Sequence, residues 1–104
     1  MTKKFTWTYL GTKTGTAALS LPSSWNELFI AAVFANPRYG FTFLQTKVAY
    51  TAGNPYTLMN GHYWNSNDYH FCAVNVTNGG VALLYWYFKN VDYTSQCSIK
   101  VWYR

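Results

Sequence analysis

Turn-forming residues recur along this chain at short intervals, and their spacing limits the secondary structure that the chain can adopt. Clusters of Gly, Pro, Asn, Asp and Ser interrupt the apolar segments every eight to twelve residues. That spacing is too short for helices of ordinary length and is typical of β-sandwiches and barrels. No window carries an apolar stripe at helical period. We therefore expect an all-β protein with little or no helix.

Strands are predicted where apolar residues alternate with polar ones or run uninterrupted between turn formers. The two strongest are the apolar runs 27–34 and 81–88, in which neither face is polar. The other predicted strands are 5–10, 16–21, 41–50, 56–59, 62–65, 69–77 and 95–104. Asn60–Gly61 is taken as a type I′ hairpin turn, and a further turn is expected at 65–68. With seven to nine strands, the pattern predicts one domain over 1–104, a jelly-roll-like antiparallel β-sandwich.

Aromatic residues are in excess, and charged residues are scarce. Ten Tyr, seven Phe and five Trp make up 21% of the chain, while charged residues make up 11%, against about 25% in an ordinary soluble domain. A core of this size does not need so many aromatic side chains, and Tyr and Trp suit contact surfaces. We therefore expect part of the surface to be covered by another copy of the chain or by a neighbouring domain.

Scattered charge argues against a nucleic-acid partner, and the short apolar runs argue against membrane insertion. The net charge is +5, but the Lys and Arg residues are scattered apart from Lys3 and Lys4, whereas nucleic-acid-binding proteins cluster them on one face. No run approaches the roughly 18 apolar residues of a membrane span. No signal peptide follows the N-terminal Met-Thr-Lys-Lys. We predict no nucleic-acid partner and no membrane insertion.

Few side chains are available for catalysis or for metal binding. The carboxylates are Glu27, Asp68 and Asp92 only, and no hydrolase, metalloprotease, phosphate-loop or dinucleotide motif is present. Asp68 and His70 would share a strand face, which we interpret as an ordinary polar pair. His62 could join them around a metal ion, but the spacing is not that of a metal site. We predict no enzymatic activity, no metal and no cofactor.

The two cysteines, Cys72 and Cys97, are not in a metal-binding or redox spacing. They form either a disulfide between neighbouring strands or two buried thiols, since a free Cys behaves as a small apolar residue. Of these two alternatives we favour the buried thiols.

The segment 56–69 is the strongest candidate for a binding surface, because aromatic residues there alternate with amides and turn formers. Carbohydrate sites use aromatic faces for stacking and amide or carboxylate groups for the sugar hydroxyls. Tyr, Asn, Ser and Trp are also common in binding loops. The alternative interpretation is a well-packed hairpin whose Asn and Asp residues only make turns. The predicted ligand-binding residues are Tyr56, His62, Tyr63, Trp64, Asn65, Asn67 and Asp68, with Tyr39 and Tyr93 from other loops.

The two ends of the chain carry a family resemblance. The first end reads Gly11, then Gly15-Thr16, then Leu21-Pro22-Ser23-Ser24-Trp25-Asn26-Glu27-Leu28, and the chain finishes with Val101-Trp102-Tyr103-Arg104. These stretches resemble the C-terminal modules of tail or baseplate proteins in phages and prophages of gut Firmicutes. Such modules open with G-x-x-x-G-T … L-P-x-x-x-N-E-L and finish on a strand ending V-Y-Y-R. The resemblance spans nearly the whole chain through its two ends, and the middle has no counterpart.

This resemblance implies a β-sandwich in the virion tail tip that attaches to a bacterial surface glycan or protein. It also implies a homo-oligomer, with a trimer favoured, which would account for the low charge and for the doubly apolar strands 27–34 and 81–88. The predicted function is therefore a tail-fibre receptor-binding module, with a glycan as the favoured ligand. Two alternatives remain open: a purely structural module that trimerises or caps a fibre, and a cellular carbohydrate-binding module.

Overall fold

Short strands of alternating burial build two antiparallel sheets that pack face to face. The computed structural model describes residues 6–47 and 55–104. Sheet A has the order β1 (Thr8–Thr14), β9 (Ser98–Tyr103), β3 (Glu27–Val33) and β4 (Gly40–Thr46). Sheet B has the order β2 (Leu19–Ser20), β7 (Gly80–Phe88), β6 (Asp68–Val76) and β5 (Tyr56–Asn65), and β8 (Val91–Asp92) pairs with β7. The predicted all-β sandwich is confirmed.

Helix is nearly absent from the described ranges. They contain one short 3₁₀ turn, at Thr94–Gln96 between β8 and β9. In this part of the chain no helix has the length and apolar character needed to cross a membrane.

The core lies between the sheets and follows the two-residue period of each strand. In β3, for example, Leu28, Ile30 and Ala32 are buried, while the residues between them are half-buried on the outside. The largest fully buried side chains are Trp25, Trp86, Leu28, Ile30, Leu83, Ile99, His70, Val74, Val76, Val81, Val101 and Cys72. Because both sheets contribute to this list, the fold depends on contact between the two layers.

A β-bulge decides which residues of β7 enter the core. Ala73 pairs with Tyr85 and Val74 pairs with Leu83, so that Leu84 is an extra residue in β7. Strict alternation would have placed Leu83 and Trp86 on opposite faces of the strand. The bulge lets both side chains point inward, and both are buried.

Trp25 is anchored in the core from the loop between β2 and β3. Its ring is fully buried, and its indole Nε1 donates a hydrogen bond to the carbonyl oxygen of Asn78 over 2.9 Å. The ammonium group of Lys47 lies 5.2 Å from the ring centre. Local alternation could not identify this role, because Trp25 lies between the predicted strands 16–21 and 27–34.

The predicted turn at Asn60–Gly61 is wrong. Asn60 pairs with Cys72 and Gly61 with Phe71 inside one continuous strand, so the predicted strands 56–59 and 62–65 are both parts of β5. Glycine suits the close packing at this position, since a Cβ atom at Gly61 would make a tight contact of 3.1 Å with the carbonyl oxygen of His70. The chain reverses instead at Ser66–Asn67, as the predicted turn at 65–68 requires.

Several predicted strand limits also differ from the structure. Gly11 does not end the first strand, because β1 continues to Thr14 past a bulge between Tyr9 and Gly11. Of the predicted strand 16–21, only β2 is paired, with Val81 and Gly80. Phe5 and residues 48–50, at the limits of two predicted strands, lie outside the described residues.

The anchoring role of Trp25 can be tested by truncation. We expect Trp25→Ala to lower the free energy of unfolding by about 3–5 kcal/mol, because it leaves a cavity and removes the hydrogen bond to Asn78. Chemical denaturation followed by circular dichroism measures this loss.

The matched control for this truncation is Trp64→Ala, since Trp64 is 72% exposed. Its effect on stability should stay within about 0.5 kcal/mol. Equal losses from the two variants would contradict the assignment of Trp25 to the core.

Candidate functional site

One end of the sandwich collects most of the predicted ligand-binding residues. The β5–β6 hairpin turns at this end, as do the loop between β3 and β4 and the turn between β7 and β8. The hairpin contributes His62, Tyr63, Trp64, Asn65, Asn67 and Asp68, the β3–β4 loop contributes Tyr39, and Tyr93 follows β8.

Tyr56 does not belong to this group. It begins β5 and pairs with Val76, at the opposite end of the sheet from Tyr63. Extended chain covers about 3.3 Å per residue, so roughly 20 Å of strand separates Tyr56 from Tyr63. Tyr56 was predicted with the others because it lies in the same aromatic segment 56–69, which the predicted turn at Asn60–Gly61 would have folded back on itself.

The tip of the β5–β6 hairpin, residues 63–67, carries two large aromatic side chains in open solvent. We call these five residues the hairpin tip. Tyr63 and Trp64 are each 72% exposed, and Trp64 is the extra residue of a bulge between Tyr63 and Asn65. Asn65 is occupied within the turn, because its Oδ1 accepts the backbone N–H of Asn67 over 2.8 Å. The tip therefore consists of a fixed turn that displays two aromatic rings.

His70 lies just behind the hairpin tip and is fully buried among aromatic rings. The ring centres of Phe34, Tyr39 and Phe88 lie 4.8, 4.8 and 4.6 Å from that of His70. Trp86 Nε1 donates a hydrogen bond to His70 Nδ1 over 3.0 Å. Because Nδ1 accepts this bond, the proton of the neutral imidazole is on Nε2.

The pair formed by Asp68 and His70 suits a structural role better than a catalytic one. His70 Nε2 lies 3.7 Å from Asp68 Oδ1, too far for a hydrogen bond, and neither atom has a hydrogen-bond partner. Burial lowers the pKa of His70, a nearby His62 lowers it further, and Asp68 opposes both. The imidazole is therefore neutral at pH 7 and serves as the acceptor that orients Trp86.

A metal site is not formed by these side chains. The ring centres of His62 and His70 are 6.5 Å apart, and His70 Nδ1 is already occupied by Trp86. Within residues 6–47 and 55–104, no group of three His, Cys, Asp or Glu side chains could hold a metal ion.

Tyr39 and Tyr93 contribute to packing at this end. Tyr39 lies over the His70 ring, and Tyr93 packs against Phe34 with ring centres 5.2 Å apart. Both are less accessible than the hairpin-tip residues, since Tyr39 is 38% exposed and Tyr93 is half-buried. Both side chains therefore pack against the aromatic residues beneath the hairpin tip.

The outer face of sheet B carries further aromatic residues, beyond the predicted ligand-binding residues. Tyr69 and Phe71 in β6 and Tyr85 and Tyr87 in β7 all point away from the core. Tyr63 pairs with Tyr69 across the hairpin, and Phe71 pairs with Tyr87. We call these five residues the aromatic strip.

Short ring-to-ring distances make the aromatic strip nearly continuous. The ring centres of Tyr63 and Tyr69 are 5.8 Å apart, and those of Tyr69 and Phe71 are 6.4 Å apart. Tyr85 and Tyr87 follow with ring centres 5.3 Å apart. Alternation within 69–77 already placed Tyr69 and Phe71 on one face, but only the pairing of β5, β6 and β7 aligns the three strands.

The outer face of sheet A carries a second aromatic surface, which we call the sheet A patch. It consists of Trp7, Tyr9, Phe29, Leu44 and Trp102. The register of β1, β9, β3 and β4 aligns the last four, and Trp7, just before β1, packs against Phe29 with ring centres 6.1 Å apart. Trp102 contacts Phe29 and Tyr9 with ring centres 5.7 and 5.3 Å away. Trp7, Phe29 and Trp102 line a depression of about 260 Å³.

An ion pair borders the sheet A patch. The guanidinium carbon of Arg104 lies 4.2 Å from the ring centre of Trp7, and Arg104 Nε lies 3.4 Å from Glu27 Oε1. The cation therefore stacks on Trp7 while its charge is partly neutralised by Glu27.

The cysteines are two buried thiols, as favoured from the sequence. Cys72 lies in β6, Cys97 precedes β9, and both are free. Burial raises the pKa of the Cys72 thiol to about 12 and also raises the pKa of Cys97. Protonated thiols are poor nucleophiles, so both residues act here as apolar core residues.

Comparison with known proteins identifies no relative of this chain. No family model matches the chain, and no curated protein or solved structure matches it at a significant level. Function is therefore inferred from the chemistry of the hairpin tip, the aromatic strip and the sheet A patch.

The buried imidazole makes stability depend on pH. Well above pH 6.5, the ordinary pKa of His, His70 is neutral in both the folded and the unfolded chain, so its ionisation does not affect stability. As the pH falls below 6.5, the unfolded chain takes up a proton that the folded chain resists, because Nδ1 is occupied and the ring is buried. We expect the free energy of unfolding to decrease by up to about 1.4 kcal/mol per pH unit between pH 6.5 and pH 5.

Denaturation at several pH values, followed by tryptophan fluorescence, measures this slope. His70→Gln, whose amide oxygen can still accept the Trp86 N–H, should lose most of the slope. The exposed His62→Gln variant should keep most of it, because burial lowers the pKa of His70 more than His62 does. The assignment is wrong if His70→Gln keeps the full slope.

Proposed function

We propose that this chain is a receptor-binding module of the phage tail-tip type, which assembles as an oligomer and recognises a bacterial cell-surface ligand. The observation that carries the proposal is the exposure of Tyr63 and Trp64, each 72% accessible on a turn fixed by Asn65. Exposed large aromatic side chains on a rigid element are typical of contact surfaces, because they bury much area at little entropic cost.

The two outer faces favour two different partners. The sheet A patch is mostly apolar and includes Leu44, which is 62% exposed, so a second copy of the chain is a suitable partner. The aromatic strip carries phenol hydroxyls and continues to the hairpin tip, so a polar ligand is suitable there. β3 and β7 were expected to serve assembly together, but they lie in different sheets and present their outer residues on opposite faces. We assign assembly to β3 and ligand binding to β7.

A purely structural capping module is the second candidate function, and the sheet A patch is the observation that favours it. In that case the hairpin tip would have no ligand of its own. A cellular carbohydrate-binding module remains an alternative in which sheet B binds a sugar and the chain is a monomer. The oligomeric state and cell binding separate these three functions.

Cell binding tests the role of the hairpin tip. We expect Trp64→Ala and Tyr63→Ala each to weaken binding of the labelled protein to intact gut Firmicutes cells at least about tenfold, because central aromatic residues dominate contact energies. Flow cytometry over a panel of strains measures the binding.

Tyr56→Ala is the matched control, because Tyr56 is an exposed aromatic residue on the same strand, at its far end. Its binding should equal that of the unaltered protein. If no strain in the panel binds the unaltered protein, or if Trp64→Ala and Tyr63→Ala bind as it does, the proposed function is wrong.

The mass in solution tests the role of the sheet A patch. We expect the unaltered protein to elute as an oligomer of the 12.0 kDa chain, with a trimer favoured, and Leu44→Lys to shift it towards the monomer by placing a charge in the interface. Size-exclusion chromatography with light scattering measures the mass. Asn67→Lys, at the hairpin tip, should leave the mass unchanged. A monomeric unaltered protein would contradict the assembly part of the proposal.

A further inference from the structure

The aromatic strip does not end at Tyr85 but opens into two adjoining depressions. One has a volume of about 300 Å³ and is lined by Phe71, Tyr85, Tyr87 and Asn90. The other has a volume of about 640 Å³, and its lining includes Tyr85, Tyr87, Thr14, Thr16, Asp92 and Ser95. Tyr85 and Tyr87 line both depressions, which are shallow and open, and we call the two depressions together the sheet B cleft.

A tight turn builds one side of the sheet B cleft. Lys89 and Asn90 have φ angles of +52° and +62°, the combination of a type I′ turn, which folds β8 back along β7. Asp92 is thereby placed opposite Tyr87. Asn has a low cost in this left-handed region, which explains its position in the turn.

Hydrogen bonds hold the carboxylate of Asp92 in place. Asp92 Oδ1 accepts the backbone N–H of Thr94 over 2.8 Å and the hydroxyl of Thr94 over 2.5 Å. The Thr94 hydroxyl in turn accepts the backbone N–H of Trp86 over 2.9 Å. These bonds to Thr94 lower the pKa of Asp92, so the group is an anion at neutral pH. Thr94 therefore links the carboxylate at the rim of the cleft to the backbone of the buried Trp86.

A second part of the rim is formed by the turn that follows β1. Gly15 has a φ of +69° and donates its backbone N–H to the carbonyl oxygen of Cys97 over 2.8 Å. This glycine turn displays Thr14 and Thr16, both exposed, towards the cleft. The glycine turn and β8 therefore line the cleft from the same edge of β7, the edge that β6 does not occupy.

The chemistry of the cleft selects one class of ligand. Aromatic rings form the floor, and hydroxyl groups of Thr14, Thr16 and Ser95 stand beside the carboxylate of Asp92. Ring faces beside hydroxyl and carboxylate groups are what a sugar requires, since one face of the sugar is apolar and its edge carries hydroxyls. The charged group in the lining of the larger depression is an anion, which repels acidic ligands.

The length of the surface indicates more than one sugar ring. Tyr63 and Tyr85 are separated by two strand spacings and by about four residues along the strands. With strands about 4.8 Å apart and about 3.3 Å per residue, the diagonal is roughly 16 Å, before the rim at Thr16 is added. A single sugar ring would cover only part of that distance.

We propose that the sheet B cleft binds a neutral, linear oligosaccharide that runs diagonally along the aromatic strip from the hairpin tip to the rim at Thr14–Thr16. The inference names the ligand class for the receptor-binding surface, and in that respect it rests on the proposed function. It adds Tyr85, Tyr87 and Asp92 to the binding residues. Stacking on Tyr85 and Tyr87 holds the chain, and Asp92 accepts hydrogen bonds from sugar hydroxyls.

A printed array of bacterial capsular and cell-wall oligosaccharides, neutral and acidic, each of at least four sugars, tests this inference with the fluorescently labelled full chain. We expect binding to neutral members and a loss of at least about tenfold in Tyr85→Ala, because the stacking surface is removed. Tyr85→Phe, which keeps the ring, should stay within about threefold of the unaltered protein, and this variant distinguishes lost stacking from misfolding. Tyr56→Ala, outside the cleft, should bind normally.

Three results overturn the inference: no neutral oligosaccharide binds, only acidic ones bind, or Tyr85→Ala binds like the unaltered protein. Its failure is distinguishable from failure of the proposed function. If cell binding depends on Trp64 but no neutral glycan on the array is bound, the proposed function stands and a protein receptor is indicated. If the protein binds neutral glycans through Tyr85 but binds no cells, the inference about the cleft is supported and the phage-type function is contradicted.

Discussion

Filling the space between the two sheets is the constraint on which the rest of this structure depends. Trp25 and Trp86 are the largest of the fully buried side chains, and strands of period two supply most of the remaining core. Because successive side chains of a strand point to opposite faces, a strand that is apolar at every position also sends apolar residues outward. The same strands that stabilise the core therefore create the aromatic strip and the sheet A patch.

The two outer surfaces differ in what surrounds them, and their proposed roles rest on that difference. The sheet A patch is bordered by the ion pair of Arg104 and Glu27 and presents mainly hydrocarbon, as subunit interfaces do. The aromatic strip ends at rims of hydroxyl groups and at Asp92, a carboxylate fixed by the Thr94 bonds that also reach the backbone of Trp86. The packing of the core thus positions the rim of the proposed ligand cleft.

Local sequence patterns predicted the strands well and the site only in part. The apolar runs identified β3 and β7, and alternation identified the faces of β6, because these features are set within one segment. Asn60–Gly61 was misinterpreted, because a local turn preference is weaker than the ladder of β5 with β6. Tyr56 was included by proximity in sequence, although an extended strand separates it from the tip. Tyr85 and Tyr87, which line the proposed cleft, were not among the predicted residues, because their position depends on non-local pairing and on the bulge at Leu84.

The central claim is that the aromatic residues divide into a closed core and an open contact surface. Photochemically induced nuclear polarisation with a flavin dye tests it most directly, because only aromatic side chains that the dye can touch give enhanced signals. The account predicts enhanced signals from Tyr63 and Trp64 and none from Trp25 and Trp86, in agreement with their exposure. Enhanced signals from Trp25 or Trp86, or silence from both Tyr63 and Trp64, would contradict it.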